Sequence, residues 1–146
     1  MAQRANCATA SLGGAAGACS HGAMKAGNRT VGARLRIVLG PDIAIGPGKA
    51  DLLAGIARTG SIAGAGRAMG MSYKRAWYLV ETMNRCFERA LVEASKGGRA
   101  GGGARLTDLG HEVLARYRRM EARTAEAIEP ELAALRKVVA GRADPT

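Results

Sequence analysis

Residues 60–84 read GSIAGAGRAMGMSYKRAWYLVETMN, and two short helical patterns meet there across Gly70 and Met71. Ser61 can cap the first by accepting from an orphan backbone N–H, after which Ile62, Ala65, Ala68 and Met69 fall on one apolar side. Gly70 stops it. Ser72 opens the second in the same way, and Ala76, Val80, Met83 and Phe87 repeat at spacings of four, three and four to form its buried stripe. The pair predicts a helix-turn-helix, with double-stranded DNA as partner. Tyr73, Lys74, Arg75 and Tyr78 are left pointing outward near the start of the second helix. A recognition helix enters the major groove by that end, where aromatic and cationic side chains reach base edges, so these four are the candidate base readers.

Upstream, residues 34–39 (RLRIVL) alternate basic and apolar before turning fully apolar, which predicts an edge strand ended by Gly40 and Pro41. Leu52, Leu53, Ile56 and Ala57 then describe a helix from Pro47 to Arg58, with Gly60 beyond its end. Downstream of the helix pair, residues 90–94 (ALVEA) and 104–106 (ARL) read as the two strands of a hairpin around the glycine-rich tip KGGRAGGGAR. The fold class predicted is mainly α (α+β): a winged helix-turn-helix over residues 33–107. The glycines of the tip allow close approach to a phosphodiester, and Lys96, Arg99 and Arg105 supply charge there. With the capping Ser61 and Ser72, they are the candidate backbone contacts.

From Thr107 onward, Leu109, Val113, Tyr117, Met120, Thr124 and Ala127 step by three or four residues, a narrow seam suited to a second helix. Leu109, Val113, Tyr117 and Met120 are therefore the candidate homodimer interface. Pro130 is expected to start a separate short helix through Leu132, Leu135, Val138 and Val139, ending at Gly141. Residues 108–141 form the predicted dimerisation unit, which would set two recognition helices about one DNA turn apart or more.

Charge supports a polyanionic partner. The chain has 146 residues and a net charge of +10. Residues 34–105 hold 12 basic and 5 acidic side chains, whereas residues 107–146 hold 7 of each, so the excess sits on the winged unit. Residues 1–30 are rich in Ala and Gly without helical or strand periodicity, and read as a disordered tail. The tail lacks the apolar run of a secretory signal, and no segment is long and apolar enough to span a bilayer, so a cytoplasmic protein without membrane association is expected. Cys7, Cys19 and Cys86 are odd in number and show no paired spacing, which argues against a disulfide framework. Cys7, Cys19 and His21 do not provide the four ligands of a structural zinc site, and no metal is expected.

Enzyme chemistry is also disfavoured. Residues 64–70 (GAGRAMG) imitate a dinucleotide-binding fingerprint but follow a helix rather than a buried strand, and the wing lacks the Gly-Lys-Ser or Gly-Lys-Thr ending of a P-loop. His111 has no nucleophile or carboxylate arranged around it, so no catalytic residue is assigned.

Gly60-Ser61-Ile62, residues 71–77 (MSYKRAW), Met83-Asn84, Leu91-Val92-Glu93, the glycine-rich wing and Leu106-Thr107 followed by Gly110 together resemble the N-terminal winged-helix domain of the ModE family of molybdate-responsive transcription regulators. The resemblance spans roughly residues 33–125; the helix-turn-helix part is similar more loosely to LysR-type regulators. It implies a homodimeric regulator that binds an operator and is linked to molybdenum metabolism. It also makes molybdate the one candidate ligand, although the family's C-terminal molybdate-binding domain has no counterpart before Thr146, and no cofactor is expected. The rival reading is a winged-helix module that binds a protein instead of DNA.

Overall fold

A computed structural model of the protein describes residues 32–95 and 103–140. The expected tail of residues 1–30, the wing tip with Lys96 and Arg99, and Gly141 lie outside the described residues.

The three helices expected before the wing are present, and the two of the helix-turn-helix start at the serine caps the sequence offers. Helix α1 (Pro47–Thr59) has proline in its first turn, where a missing N–H costs nothing, and ends at Gly60, whose N–H donates to Ile56 O at 2.8 Å. Helix α2 (Ile62–Ala68) starts with Ser61 Oγ accepting from Gly64 N at 3.0 Å. Helix α3 (Tyr73–Cys86) starts with Ser72 Oγ accepting from Arg75 N at 3.2 Å. Between α2 and α3, Gly70 takes a left-handed φ of 66°, which a side chain would strain. Met71 N closes the turn by donating to Gly66 O at 3.0 Å.

One position on α2 differs from expectation: Ala68 is exposed, and Gly66 is buried instead. A Cβ on Gly66 would stand 3.0 Å from Ala76 Cβ, so the absence of a side chain lets α2 lie close on α3. An apolar pattern cannot register such a contact, because glycine carries no hydrophobic signal.

The first strand also differs. Strand β1 (Ile37–Gly40) does not simply end at Gly40 and Pro41. It turns there and pairs antiparallel with β2 (Ile43–Ile45), Ile37 opposite Ile45 and Val38 opposite Ala44. Asp42 carries the turn at φ 61°, a conformation its short polar side chain tolerates. The returning strand has three residues, too few for its alternation to stand out in sequence.

Strands β3 (Val92–Ala94) and β4 (Ala104–Leu106) form the wing, with Val92 opposite Leu106, Glu93 opposite Arg105 and Ala94 opposite Ala104. Asn84, in the last turn of α3, grips its root: Oδ1 accepts from Leu91 N at 2.8 Å and Val92 N at 3.1 Å, and Nδ2 donates to Val92 O at 3.0 Å. Ala104 N donates to Gly60 O at 2.8 Å, tying β4 to the start of the helix-turn-helix. The wing is thereby fixed to α3 by the Asn84 side chain and to the approach of α2 by a backbone bond.

Leu52, Leu53, Ile56, Ile62, Ala65, Ala76, Val80, Met83, Leu91 and Val92 make one core between α1, α2, α3 and the wing. Ile45, Ala50 and Tyr117 make a second, and Val113 and Leu114 pack against both. No residue of the chain after Tyr117 joins either cluster among the described residues.

Helix α4 (Asp108–Val138) is one helix of 31 residues, not the two expected around Pro130. A proline in a helix interior costs about 3 kcal/mol. Strong helix formers on both sides, and an Arg136–Glu129 ion pair of 2.7 Å that spans the proline, favour continuation over a break.

Tyr117 anchors α4 to the winged unit. It is fully buried, and its hydroxyl donates to Leu35 O at 2.7 Å. Beside it, Arg118 bridges Asp51 on α1 and Glu121, at 2.7 and 2.8 Å. Burial, followed by the nearby Glu121 carboxylate, pushes the Tyr117 phenol from 10.0 up to about 12. The folded state thus favours the neutral phenol. This stabilisation is complete below pH 10 and is lost as pH climbs towards 12. Tyr117→Phe should lower stability at neutral pH by about 1 kcal/mol through the lost hydrogen bond. It should also flatten the alkaline decline. Denaturant titrations across that range check both, and an unchanged decline in the variant would assign it to other groups.

Candidate nucleic-acid interface

Three of the four candidate readers, Lys74, Arg75 and Tyr78, lie on the side of α3 away from the core. At about 100° per residue, Ala76, Val80 and Met83 point to the core, Lys74 and Tyr78 point almost opposite to it, Arg75 lies beside those two, and Tyr73 stands at the edge of the buried stripe, about 50° from the core direction. All four are exposed. The Tyr73 ring meets Trp77 edge to face at a centroid distance of 6.1 Å, and the buried Trp77 indole N–H has no acceptor among the described residues. The outer face continues to Glu81 and Arg85, an i,i+4 ion pair of 3.2 Å that the sequence reading did not single out.

The cations divide into two groups. Arg85, Arg89, Arg105, Arg116, Arg118 and Arg136 each have a carboxylate within 4 Å. Arg58, Arg67, Lys74 and Arg75 have none among the described residues. Arg36, Lys49, Arg119, Arg123 and Lys137 also have none there; Arg58 and Arg67 end α1 and α2, so with Lys49 five of the cations without a carboxylate lie along α1, α2 and the start of α3, and three on α4. Arg58 and Arg67 were missed because an isolated arginine in a last helical turn reads as an ordinary dipole partner.

The remaining backbone candidates are placed differently. Ser61 and Ser72 spend an oxygen lone pair on capping, and each keeps a hydroxyl hydrogen to donate. Arg105 is committed: its Nε and Nη2 both donate to Glu93 Oε2, at 3.1 and 2.9 Å. Cys86 is half-buried at the end of α3, with Sγ 3.9 Å from Asp42 O, a packing position. His111 is exposed. Among the described residues no cluster of His, Cys, Asp and Glu is arranged to hold a metal. No described helix is long and apolar enough to cross a membrane.

The expected homodimer seam is divided. Tyr117 is buried within its own chain, and Leu109 and Val113 are half-buried against its cores, because the face they share is the one α4 lays on the winged unit. Met120 remains exposed.

The chain is 42% identical over 119 residues to the molybdenum-pterin-binding protein MopB of Rhodobacter capsulatus, a match covering 82% of this chain and 39% of that protein. It is 42% identical over 71 residues to the DNA-binding transcriptional dual regulator ModE of Escherichia coli, covering 49% of this chain and 27% of that one. The chain is ModE-like. It spans between about a quarter and two fifths of the length of such relatives. No family model matches it. Among solved structures, the full-length LTTR LysG of Corynebacterium glutamicum with bound effector Arg has a TM-score of 0.48 at 23% identity, covering 64% of the ModE-like chain and 30% of that one.

Proposed function

We propose that this chain is a sequence-specific DNA-binding transcriptional regulator linked to molybdenum metabolism, acting as a homodimer. The observation that carries the reading is the exposed, capped start of α3, the second helix of the pair, where Tyr73, Lys74, Arg75 and Tyr78 reach solvent and both cations lack a carboxylate partner among the described residues. Such a helix end offers long donors to base edges, while Arg58, Arg67 and the wing offer charge to the phosphates. Arg67, Lys74 and Arg75 leave that helix pair with three cations uncompensated by a carboxylate among the described residues, which suits a polyanion better than a protein partner. The link to molybdenum rests on relatives whose names carry it.

Dimerisation is assigned to the far part of α4. Beyond Tyr117 the helix runs another 21 residues, about 32 Å, past the last contribution to either core. On the same side as Tyr117 it carries Thr124, Ile128, Leu132, Leu135 and Val138, and Leu135 and Val138 are 59% and 78% exposed. An apolar stripe of that length suits the same stripe on a second copy.

Selection from a randomised duplex pool tests the reading. The wild-type protein should enrich a two-fold symmetric site. Lys74→Ala or Arg75→Ala should then weaken binding to that site by about 1–3 kcal/mol, or roughly 5- to 150-fold, and weaken binding to random duplex much less. Equal losses on both duplexes would remove these two residues as base readers.

A further inference from the structure

Arg105 was expected to neutralise a phosphate, yet the structure gives its guanidinium another occupation. Glu93 and Arg105 are direct partners across the wing, on the face opposite the buried Val92 and Leu106. Two donors of Arg105 converge on a single Glu93 oxygen, at 2.9 and 3.1 Å. The side chains are 80% and 55% exposed, a setting in which an ion pair contributes little to stability. The pair is therefore not needed to hold the hairpin, which backbone hydrogen bonds and the Asn84 clamp already fix.

Its electrostatic effect is larger than its structural one. A paired Arg105 presents no net charge to a polyanion, and a carboxylate on the outer wing face repels the phosphates directly. The unpaired cations of the helix-turn-helix carry no such restraint. Resting on the DNA-binding reading above, we propose that Glu93 is an electrostatic brake on the wing. It holds Arg105 away from the DNA backbone and limits sequence-independent affinity, so that retention on DNA depends on the base contacts of α3.

Counterion release provides the measurement. Each phosphate neutralised adds about 0.9 to the slope of log K against log salt concentration on B-form DNA. Glu93→Gln keeps the side chain's shape and frees Arg105. On a random-sequence duplex it should bind several-fold tighter than wild type at low salt, with the slope steeper by about one phosphate contact. Glu126→Gln changes the net charge equally on the exposed far side of α4 and serves as control; it should leave the slope at the wild-type value. Adding Arg105→Gln to Glu93→Gln should return the slope to that value. Thermal melts of the variants should match wild type, since both glutamates are exposed.

An unchanged slope in Glu93→Gln, or weaker binding, would overturn the brake and make Glu93 a residue that positions Arg105 for contact. A steeper slope equally present in Glu126→Gln would overturn it too, by showing a general charge effect. If wild type binds no duplex at all, the DNA-binding reading itself fails, which is a different result from intact binding with an unmoved slope.

Discussion

Gly110→Ala should destabilise the protein by roughly 2–4 kcal/mol, a large part of the 5–15 kcal/mol typical of a folded domain. Helix propensity alone predicts the reverse, because alanine is favoured over glycine by about 1 kcal/mol inside a helix. Packing decides the sign. A Cβ on Gly110 would collide with Leu91 O and stand 3.3 Å from Leu106 Cβ. The obstacle is backbone, already held as acceptor from Thr107 N at 2.9 Å, so it cannot swing aside as a side chain would. The first turn of α4 would have to leave the wing root, loosening the Thr107 cap on Gly110 N and the 2.7 Å bond from Thr107 Oγ1 to Ala90 O. Overpacking of this kind costs about 1–3 kcal/mol and a lost cap about 1 more. Gly48→Ala is the matched control: it lies in the first turn of α1 with nothing within 4 Å of an added Cβ, and should be neutral or stabilising. Chemical denaturation of both variants makes the comparison, and a loss below about 1 kcal/mol for Gly110→Ala would contradict the close approach.

That glycine also marks where sequence reading stops. The helix-turn-helix was legible because its information is local: Ser61 and Ser72 announce the caps, and a stripe at spacings of four and three announces the buried face. The outward residues of α3 followed from the same periodicity by subtraction. Gly66, Gly110 and the Asn84 clamp act between different elements, and an apolar count cannot express them. Arg105 shows the same boundary in the site. Its charge was visible, but its pairing with Glu93 depends on strand register. Tyr117 lay on a correctly read seam, and the seam's partner was misassigned, because period alone does not say whether a stripe packs on its own chain or on another.

The far part of α4 turns that ambiguity into an expected result. If Ile128 and Leu135 form the contact between two copies, Ile128→Asp or Leu135→Asp would place an unpaired carboxylate in an apolar interface, a change that costs several kcal/mol and should give monomers at micromolar concentration. Neither residue belongs to a core cluster of its own chain, so the winged unit should keep its thermal stability. Operator binding should fall by roughly 10²–10⁴, since the second half-site is then no longer presented at high effective concentration. Affinity for an isolated half-site should be unchanged. Val113→Asp gives the contrast, because Val113 packs against both cores, and its loss should appear as unfolding rather than as a stable monomer. Sedimentation, with melting curves on the same samples, separates the two. A persistent dimer in both α4 variants would return the interface to some other face of the chain. A wild-type monomer at micromolar concentration would remove the dimer altogether, and with it the expectation of a two-fold symmetric site.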